Sequence, residues 1–513
     1  MADKKISKLF IYLIAFVEGA ALLVAEICSA KFIESQIGIS LYVWASVLSM
    51  TLIGLALGYF IGGRLSKNAS PKINLFLYLM IGGAFLLLMP VLSYLSLGMF
   101  QGLSAIWTSL LSAFVFLLTP ITMLGCISPT LIQLASTEES AGRIAGEIFS
   151  ISTIAGVVSI LFSVLFLIPL VGLSYTCWLF GSLLIVMAIL VGIAGSKLKQ
   201  GIGVLIIIGS LFLNGSQLSS EHQIEQIYES SGLFQNAQLN SFNELSHKTG
   251  LYGTVRVVDF NVNYSGVQGN VRALLVNNTV QTLITMPQGQ AMLGYVYMME
   301  GIFNAFPSYK DILHIGLGGG IVSTRLSQQG REVTAVEIDH NVTDAAKDYF
   351  NLSPSVNIVN NDGRNFINGT DKQFDIIVLN VFNSGIPPWN LYTKESFEKC
   401  YEVVSDNGLM VIELGGIITE NSDPILSSVI KTIQEAGWNT ALFKTDFSDK
   451  GDYICLAHKS DAIDISNWTY NNGGSQVYIV NMQIPDAQLN KQEAIIFTDD
   501  NPILTKWASE RIR

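Results

Sequence analysis

Six stretches of this chain are apolar over a length that crosses a lipid bilayer. About 30 Å of hydrocarbon takes ~20 helical residues to cross, and runs of that length begin near Leu9, Leu41, Ile73, Ser104, Gly142 and Ser174. All of them precede residue 214, so residues 1–214 are expected to form a multi-pass α-helical membrane domain of six or seven helices. A seventh run, 201–214, has only 14 residues and as a helix would reach roughly 21 Å. If it spans, the rest of the chain is extracytoplasmic; if it lies in the interface, the rest is cytoplasmic. The first run is not expected to be a cleaved signal peptide, because it lacks a small-residue cleavage site and contains Glu18 and Glu26. Lys4, Lys5 and Lys8 precede it, Arg64, Lys67 and Lys72 follow the second run, and Lys197 and Lys199 follow the sixth. The loops after the third and fifth runs are uncharged. By the positive-inside rule the N-terminus and Lys197 are cytoplasmic, in an integral protein of the cytoplasmic membrane.

Composition divides the chain at the same place. Of 513 residues, 50% are hydrophobic and 13% charged, with a net charge of −11, which excludes both an ordinary soluble protein and a disordered one. Residues 1–214 carry 10 Lys and Arg against 7 Asp and Glu, whereas the remainder carries 19 against 33. So acidic a soluble half argues against nucleic acid as a partner, since phosphate neutralisation needs clustered cations. The five cysteines have none of the short spacings of a metal or redox motif. Neither a disulfide framework nor a metal site is expected.

Within the membrane half, Glu18 and Glu26 are functional candidates because a carboxylate is costly in hydrocarbon. The plainer alternative is a bundle-facing Glu hydrogen-bonded to a neighbouring helix. Arg143 and Glu147, four residues apart, can pair along one helix face. Gly54, Gly58, Gly62 and Gly63 would let another helix approach closely.

In the polar half, residues 215–250 are rich in Ser, Gln, Asn and Glu and read as a linker. Strands over 253–260 and 272–277 predict a small β-region spanning 251–300. The main domain, 301–513, announces itself at Asp311. The apolar strand 312–315 runs into Gly316-Leu317-Gly318-Gly319-Gly320 and then a helix-like stretch, a turn that lets a ligand approach the backbone at a helix N-terminus. A second strand, 333–336, ends in Glu337-Ile338-Asp339, where a ribose hydroxyl would be bound. Strand 356–359 leads into Asn361-Asp362-Gly363, and strand 374–379 into Asn380. Four strands with polar or glycine-rich ends mark the ligand edge of a parallel, Rossmann-like α/β sheet that takes a nucleoside-containing ligand. The loop is Gly-x-Gly-Gly-Gly rather than Gly-x-Gly-x-x-Gly, and Asp362-Gly363 suits an adenine-binding turn, so S-adenosylmethionine is favoured over NAD. His314, inside the first strand, is expected to be a core residue.

The whole arrangement resembles the membrane-bound branch of the spermidine synthase family. The membrane half carries Glu18-Gly19-Ala20-Ala21-Leu22, the repeated glycines of 52–64 and Gly125-Cys126-Ile127-Ser128-Pro129. The soluble half carries the motifs above, Pro387-Pro388-Trp389-Asn390-Leu391-Tyr392-Thr393, and Thr498-Asp499-Asp500 with Pro502. The resemblance implies that Gly316, Gly318 and Gly320 hold the methionine-derived part of S-adenosylmethionine or its decarboxylated form. It implies further that Glu337, with Asp339 beside it, binds the ribose, that Asp362 and Gly363 bind the adenine, and that Gln281 is the family's active-site Gln.

The chain departs from the family where the reacting amine is handled. The two Asp expected after the fourth strand are Asn380 and Asn383. Gln290, Ala291 and Met292 replace a Tyr-His-Glu, and Gly319 replaces an Asp in the loop. An ammonium must lose a proton before it attacks, so the leading expectation is an enzyme that cleaves the sulfur–propyl carbon bond and releases methylthioadenosine. It would act as a lyase forming a lactone or as a transferase to a small-molecule or membrane-bound, non-polyamine acceptor. Asn380 would orient the substrate, and Asp499 or Asp500 would be the substitute acid or base. Alternatives are a polyamine aminopropyltransferase, an S-adenosylmethionine-dependent methyltransferase, and a transporter or sensor regulated by nucleoside binding. The cytoplasmic supply of S-adenosylmethionine favours a cytoplasmic soluble half, and a homo-oligomer is left open.

Overall fold

The fourth apolar run, expected as one span from Ser104, is two helices meeting at Leu117. Pro120 explains the break, because it has no N–H to donate back to Phe116, which ends the first helix. The structure is a computed structural model and describes residues 7–37, 41–66, 71–100, 103–135, 141–194, 209, 224–225, 227–229, 237–264, 267–277, 279–381, 388–415, 423–445, 452–460, 463–472, 474–490, 492–500 and 504. The chain forms two units, Met1–Gln226 with Thr249–Gly253, and Ile227–Lys248 with Thr254–Ile512. Of the run 201–214 only Gly209 is described, so the expectation about its crossing lies outside the described residues.

In the first unit the helices are α1 (Lys8–Ile37), α2 (Leu41–Leu65), α3 (Pro71–Phe100), α4 (Ala105–Phe116), α5 (Leu118–Ala135), α6 (Ala141–Phe162) and α7 (Ile168–Ala194). Among the described residues, six helical stretches are long and apolar enough to cross a membrane, and α4 falls short. Small residues set the packing. A Cβ at Gly58 would lie 2.8 Å from Gly125 Cα and on the Thr122 carbonyl; one at Gly62 would lie 2.7 Å from Cys126 Cα; one at Gly54 would lie 2.9 Å from the Ile121 side chain. These three glycines therefore seat α2 against α5 backbone to backbone. Gly63, expected to share that role, has nothing within 4 Å, because one residue further round the helix it faces away. Gly83 and Gly181 likewise bring α3 and α7 together, and Gly19 meets Ser152 across α1 and α6.

Glu18 is buried and accepts a hydrogen bond from Ser152 Oγ at 2.9 Å, with a second from Ser128. This is the bundle-facing arrangement. Glu26 is half-buried on the same helix. Arg143 pairs with Glu147 at 2.9 Å, as its spacing predicts, and Lys8 and Tyr12 of α1 also bond that carboxylate.

The second unit opens with a four-stranded sheet, β1 (Ala237–Gly250), β2 (Gly253–Tyr264), β3 (Val267–Val276) and β4 (Thr279–Met286), in that spatial order. The stretch 215–250 is thus no linker at its C-terminal end: 237–250 is a strand, and the β-region begins before residue 251. Strand β1 carries polar residues on both faces and no clean apolar alternation, so it lacks the period-two signal by which a strand is read.

The larger sheet has eight strands in the order β14-β10-β11-β9-β8-β5-β6-β7. They are β5 (Asp311–Ile315), β6 (Glu332–Glu337), β7 (Asn357–Asn360), β8 (Phe374–Leu379), β9 (Val404–Leu414), β10 (Asn439–Lys444), β11 (Tyr453–His458), β12 (Thr469–Asn472), β13 (Ser475–Tyr478) and β14 (Gln483–Ile484), of which β12 and β13 form a separate hairpin. The intervening helices are α8 (Tyr295–Asn304), α9 (Ile321–Gln328), α10 (His340–Tyr349), α11 (Gly363–Gly369), α12 (Lys394–Val403) and α13 (Pro424–Glu435). Strand β5 pairs in parallel with both β6 and β8. Chain order therefore reverses beside β5, and in open α/β sheets such a switch point is where ligands bind, beyond the carboxyl ends of the strands. His314 is a core residue, its Nδ1 2.6 Å from Ser323 Oγ, and burial lowers its pKa to about 4.

The α2–α5 contact makes a direct prediction. Gly58→Ile should destabilise the protein in detergent by roughly 1–3 kcal/mol, the usual cost of overpacking, whereas Gly63→Ala should leave the thermal midpoint unchanged. Equal midpoints for Gly58→Ile and wild type would exclude the backbone-to-backbone contact.

Candidate functional site

Where β5 ends, the backbone ladder continues one residue further on both sides. Gly316 N–H donates to Val336 O at 2.9 Å and Asn380 N–H donates to Ile315 O at 3.0 Å. Gly316 has φ +87, and a Cβ there would overlap the Asn380 carbonyl. A glycine is required for both reasons. Gly318 and Gly320 also have positive φ, +53 and +73, and Gly320 leads into α9. The turn is tied to the small sheet by Thr282, whose Oγ1 accepts the Gly319 N–H at 2.8 Å. A Cβ at Gly319 would lie 2.7 Å from the Thr282 methyl, which accounts for glycine where the resembled family has Asp. Sequence reasoning passed over Thr282; its neighbour Gln281, on β4, brings its carbonyl near Gly318.

Glu337 sits at the end of β6 with its carboxylate under the turn. Oε2 accepts the Leu317 N–H at 3.0 Å and Oε1 the Asp339 N–H at 2.9 Å. Burial pushes this carboxyl above its ordinary range, and the backbone donors oppose the shift. The Ile338 N–H also bonds this carboxylate, and as a carboxylate offers about four lone-pair sites, about one remains for a hydroxyl donor. Asp339 caps α10, accepting the Asn341 N–H at 2.9 Å, and burial raises its pKa. Asp362 caps α11 by accepting the Asn365 N–H at 2.9 Å. Gly363 is buried between Ile315 and Leu391, and a Cβ would lie 2.6 Å from the Ile315 side chain.

Asn380 stands at the end of β8, hydrogen-bonded to the phenol of Tyr295 on α8. Leu379 pairs with Ile412 across β8 and β9, so the next position beside Asn380 is Glu413. That residue is only 3% exposed, and its carboxyl accepts no hydrogen bond from a described residue. Burial and then Asp452, just before β11, push its pKa well above the ordinary carboxylate range. A Cβ at Gly415 would lie 2.7 Å from Glu413 Oε1 and against the Asp452 carboxylate. The glycine leaves the two acids room to converge. Tyr295 feels both: burial, then Glu413, then Asp452 raise its pKa. A buried acid on β9 and a half-buried one just before β11 have no motif to betray them; only the register brings them beside Asn380.

Asn383 lies outside the described residues. Asp499 is clamped, Oδ2 3.0 Å from Arg364 and Oδ1 accepting from Thr393 Oγ1 at 2.6 Å, which ties the C-terminal segment to α11 and α12. Asp500 is exposed. Among the described residues no three or more His, Cys, Asp or Glu are placed to hold a metal ion.

Residues 293–445 match the Spermine/spermidine synthase domain. A polyamine aminopropyltransferase of Clostridium beijerinckii is 30% identical over 113 residues, 20% of this chain and 40% of the relative's length. An N-terminal histidine N-methyltransferase of Emericella nidulans is 33% identical over 129 residues, 24% of this chain and 23% of that protein. The chain thus spans well under two thirds of these relatives. A probable spermidine synthase of Corynebacterium glutamicum, known as a crystal structure, aligns with 44% of this chain and 82% of its own at 20% identity and a TM-score of 0.37. Residues 293–445 of the second unit are thus similar to that domain, within a largely parallel α/β sheet, and among the described residues the first unit has six apolar helical stretches of membrane-crossing length.

Two measurements check this geometry. Gly316→Ala combines positive φ with a collision and should cost roughly 2–4 kcal/mol in chemical denaturation; a loss below about 1 kcal/mol would refute the described turn. For Glu413, the raised folded pKa means that the native state binds more protons than the unfolded one, so stability falls as pH rises above the ordinary carboxylate range. Glu413→Gln should then melt above wild type near neutrality and together with it in acid. Parallel pH profiles would show that the carboxyl is not buried as described.

Proposed function

We propose that the second unit binds S-adenosylmethionine or its decarboxylated form and breaks the bond between sulfur and the propyl carbon, releasing methylthioadenosine. The observation that carries this reading is the edge at the switch point. There Gly316, Gly318 and Gly320, the Glu337 carboxylate and Asn380 gather beyond the ends of three adjacent parallel strands, within the stretch that matches the synthase domain. Glu337 is set to receive a ribose hydroxyl on its remaining lone pair, Asp362 and Gly363 to border the adenine, and Gln281 to approach from the small sheet. Asp339 and Asp362 act there by capping the helices that frame the pocket.

The sulfonium already carries the driving force for cleavage. A nucleophile in line with the propyl carbon donates its lone pair, the carbon–sulfur bond breaks, and its electron pair leaves on sulfur as a neutral thioether. Asn380, uncharged at neutral pH, orients the reactants. The substrate's own carboxylate would yield a lactone, and an external acceptor a transfer product; Asn383, Asp499 and Asp500 remain proposed contributors to that step. The six apolar helices support anchoring in the lipid bilayer of the cytoplasmic membrane, with the catalytic unit facing the cytoplasm where the sulfonium is made. The satisfied hydrogen bonds of Glu18 favour an anchor over a transporter.

The test is direct. Full-length protein in detergent, incubated with either sulfonium, should release methylthioadenosine, and Glu337→Gln should lower kcat/KM by roughly tenfold or more through a lost hydrogen bond to ribose. Release of S-adenosylhomocysteine alone would replace this reading with a methyltransferase.

A further inference from the structure

We infer that Arg364 and Asp499 are positioning residues that form a latch across the adenine end of the donor site, so that the segment carrying Asp499 sets how tightly the donor is held. The inference rests on the proposed binding of a sulfonium donor, with its adenine bordered by Asp362 and Gly363.

The geometry starts at Gly363. The space beside it is taken by Leu391 as well as by Ile315: a Cβ there would lie 3.4 Å from a Leu391 methyl. A residue from the segment after β8 therefore completes the wall of the adenine turn, and the turn keeps its shape while that segment stays against it. Arg364, next in the chain after Gly363, holds the segment in place. Its Nη1 donates to Asn390 O at 3.2 Å and to Thr393 Oγ1 at 3.3 Å, and its Nη2 pairs with Asp499 Oδ2 at 3.0 Å. A planar fork suits three acceptors that come from two segments, whereas an ammonium is a single point charge. Asp499 closes the ring, its Oδ1 accepting from Thr393 Oγ1 at 2.6 Å.

The Arg364 side chain is 16% exposed and that of Asp499 45%, and an isolated pair so exposed would hold little. Here the carboxylate is presented ready-placed, because the backbone around it is already fixed. Phe497 is buried, its carbonyl accepts the Lys394 N–H at 2.8 Å, and its N–H donates to Thr432 Oγ1 at 3.0 Å. The Asp499 N–H donates to Glu395 Oε2 at 3.0 Å. Further back, Lys431 Nζ donates to Ala494 O at 2.8 Å. Little freedom is then lost in forming the latch, which is how preorganisation strengthens a contact. Among the described residues neither latch residue bonds the glycine turn or Glu337, so cutting it loosens the adenine wall and spares the rest of the site.

Methylthioadenosine, which carries the donor's adenine and ribose, is titrated calorimetrically into full-length protein in detergent. The variants are Asp499→Ala, Arg364→Met, the two combined, and Lys431→Met, with a thermal midpoint for each. Asp499→Ala and Arg364→Met should each weaken binding roughly twofold to tenfold, the range of one lost hydrogen bond. The combined variant should be no weaker than the worse single, because both cut one latch. Lys431→Met, which cuts only the bond to Ala494, should act on the thermal midpoint alone. In turnover the donor KM should rise by the same factor, with kcat within about twofold of wild type. If the latch variants bind methylthioadenosine like wild type, or if Lys431→Met weakens it equally, the contacts are structural only and the latch is overturned. A fall in kcat at unchanged KM would overturn it as well, in favour of Asp499 as an acid or base. If wild type itself binds no methylthioadenosine, the donor reading fails and this inference with it, an outcome distinct from equal binding by wild type and variants.

Discussion

The contact between the backbones of Gly316 and Asn380 is the constraint around which the soluble unit is organised. Strand β5 pairs with β6 on one side and β8 on the other, and its ladder runs one residue past its end in both directions. Only a residue without Cβ can hold φ +87 against the Asn380 carbonyl. From that point the glycine turn opens into α9, Thr282 pins it from the small sheet, and Glu337 reaches under it to the Leu317 N–H. The turn and the amide beside it are thus placed by backbone geometry, and the acid below them by its own hydrogen bonds to the Leu317 and Asp339 N–H groups.

Charge follows a different logic from shape. At the end of β8 the chain presents an amide, while the next strand presents a buried acid facing a second one across Gly415. Burying the Glu413 carboxyl beside a second acid costs free energy and favours its protonated form. The acidic residues of the polar half, 33 against 19 basic, therefore have at least one member buried in the sheet rather than on the surface. The first unit obeys yet another rule: its apolar helices associate by close packing at small residues, and Gly54, Gly58 and Gly62 supply it against α5.

Much of this was legible in the sequence. The apolar helices declared themselves by length, the four parallel strands by apolar runs ending in polar turns, and His314 by sitting mid-strand. The Arg143–Glu147 pair followed from helical spacing. What escaped did so for identifiable reasons. Strand β1 has no apolar alternation, Pro120 divides a run that hydropathy reads as continuous, and Gly63 faces away from the glycine stripe it adjoins. Thr282 and Glu413 belong to no motif, since each acts on a segment distant along the chain.

The sequence by itself determined the two-part organisation, the glycine turn and the acidic residue that follows it, because hydropathy, strand period and local backbone demands are written in consecutive residues. Only the tertiary structure decided which strands stand side by side. Register between β8 and β9, and between β9 and β11, brings Asn380, Glu413 and Asp452 to one edge from positions 72 residues apart in the chain. No local signal encodes that meeting, because it is produced by hydrogen bonding between strands and by the order in which the sheet is assembled.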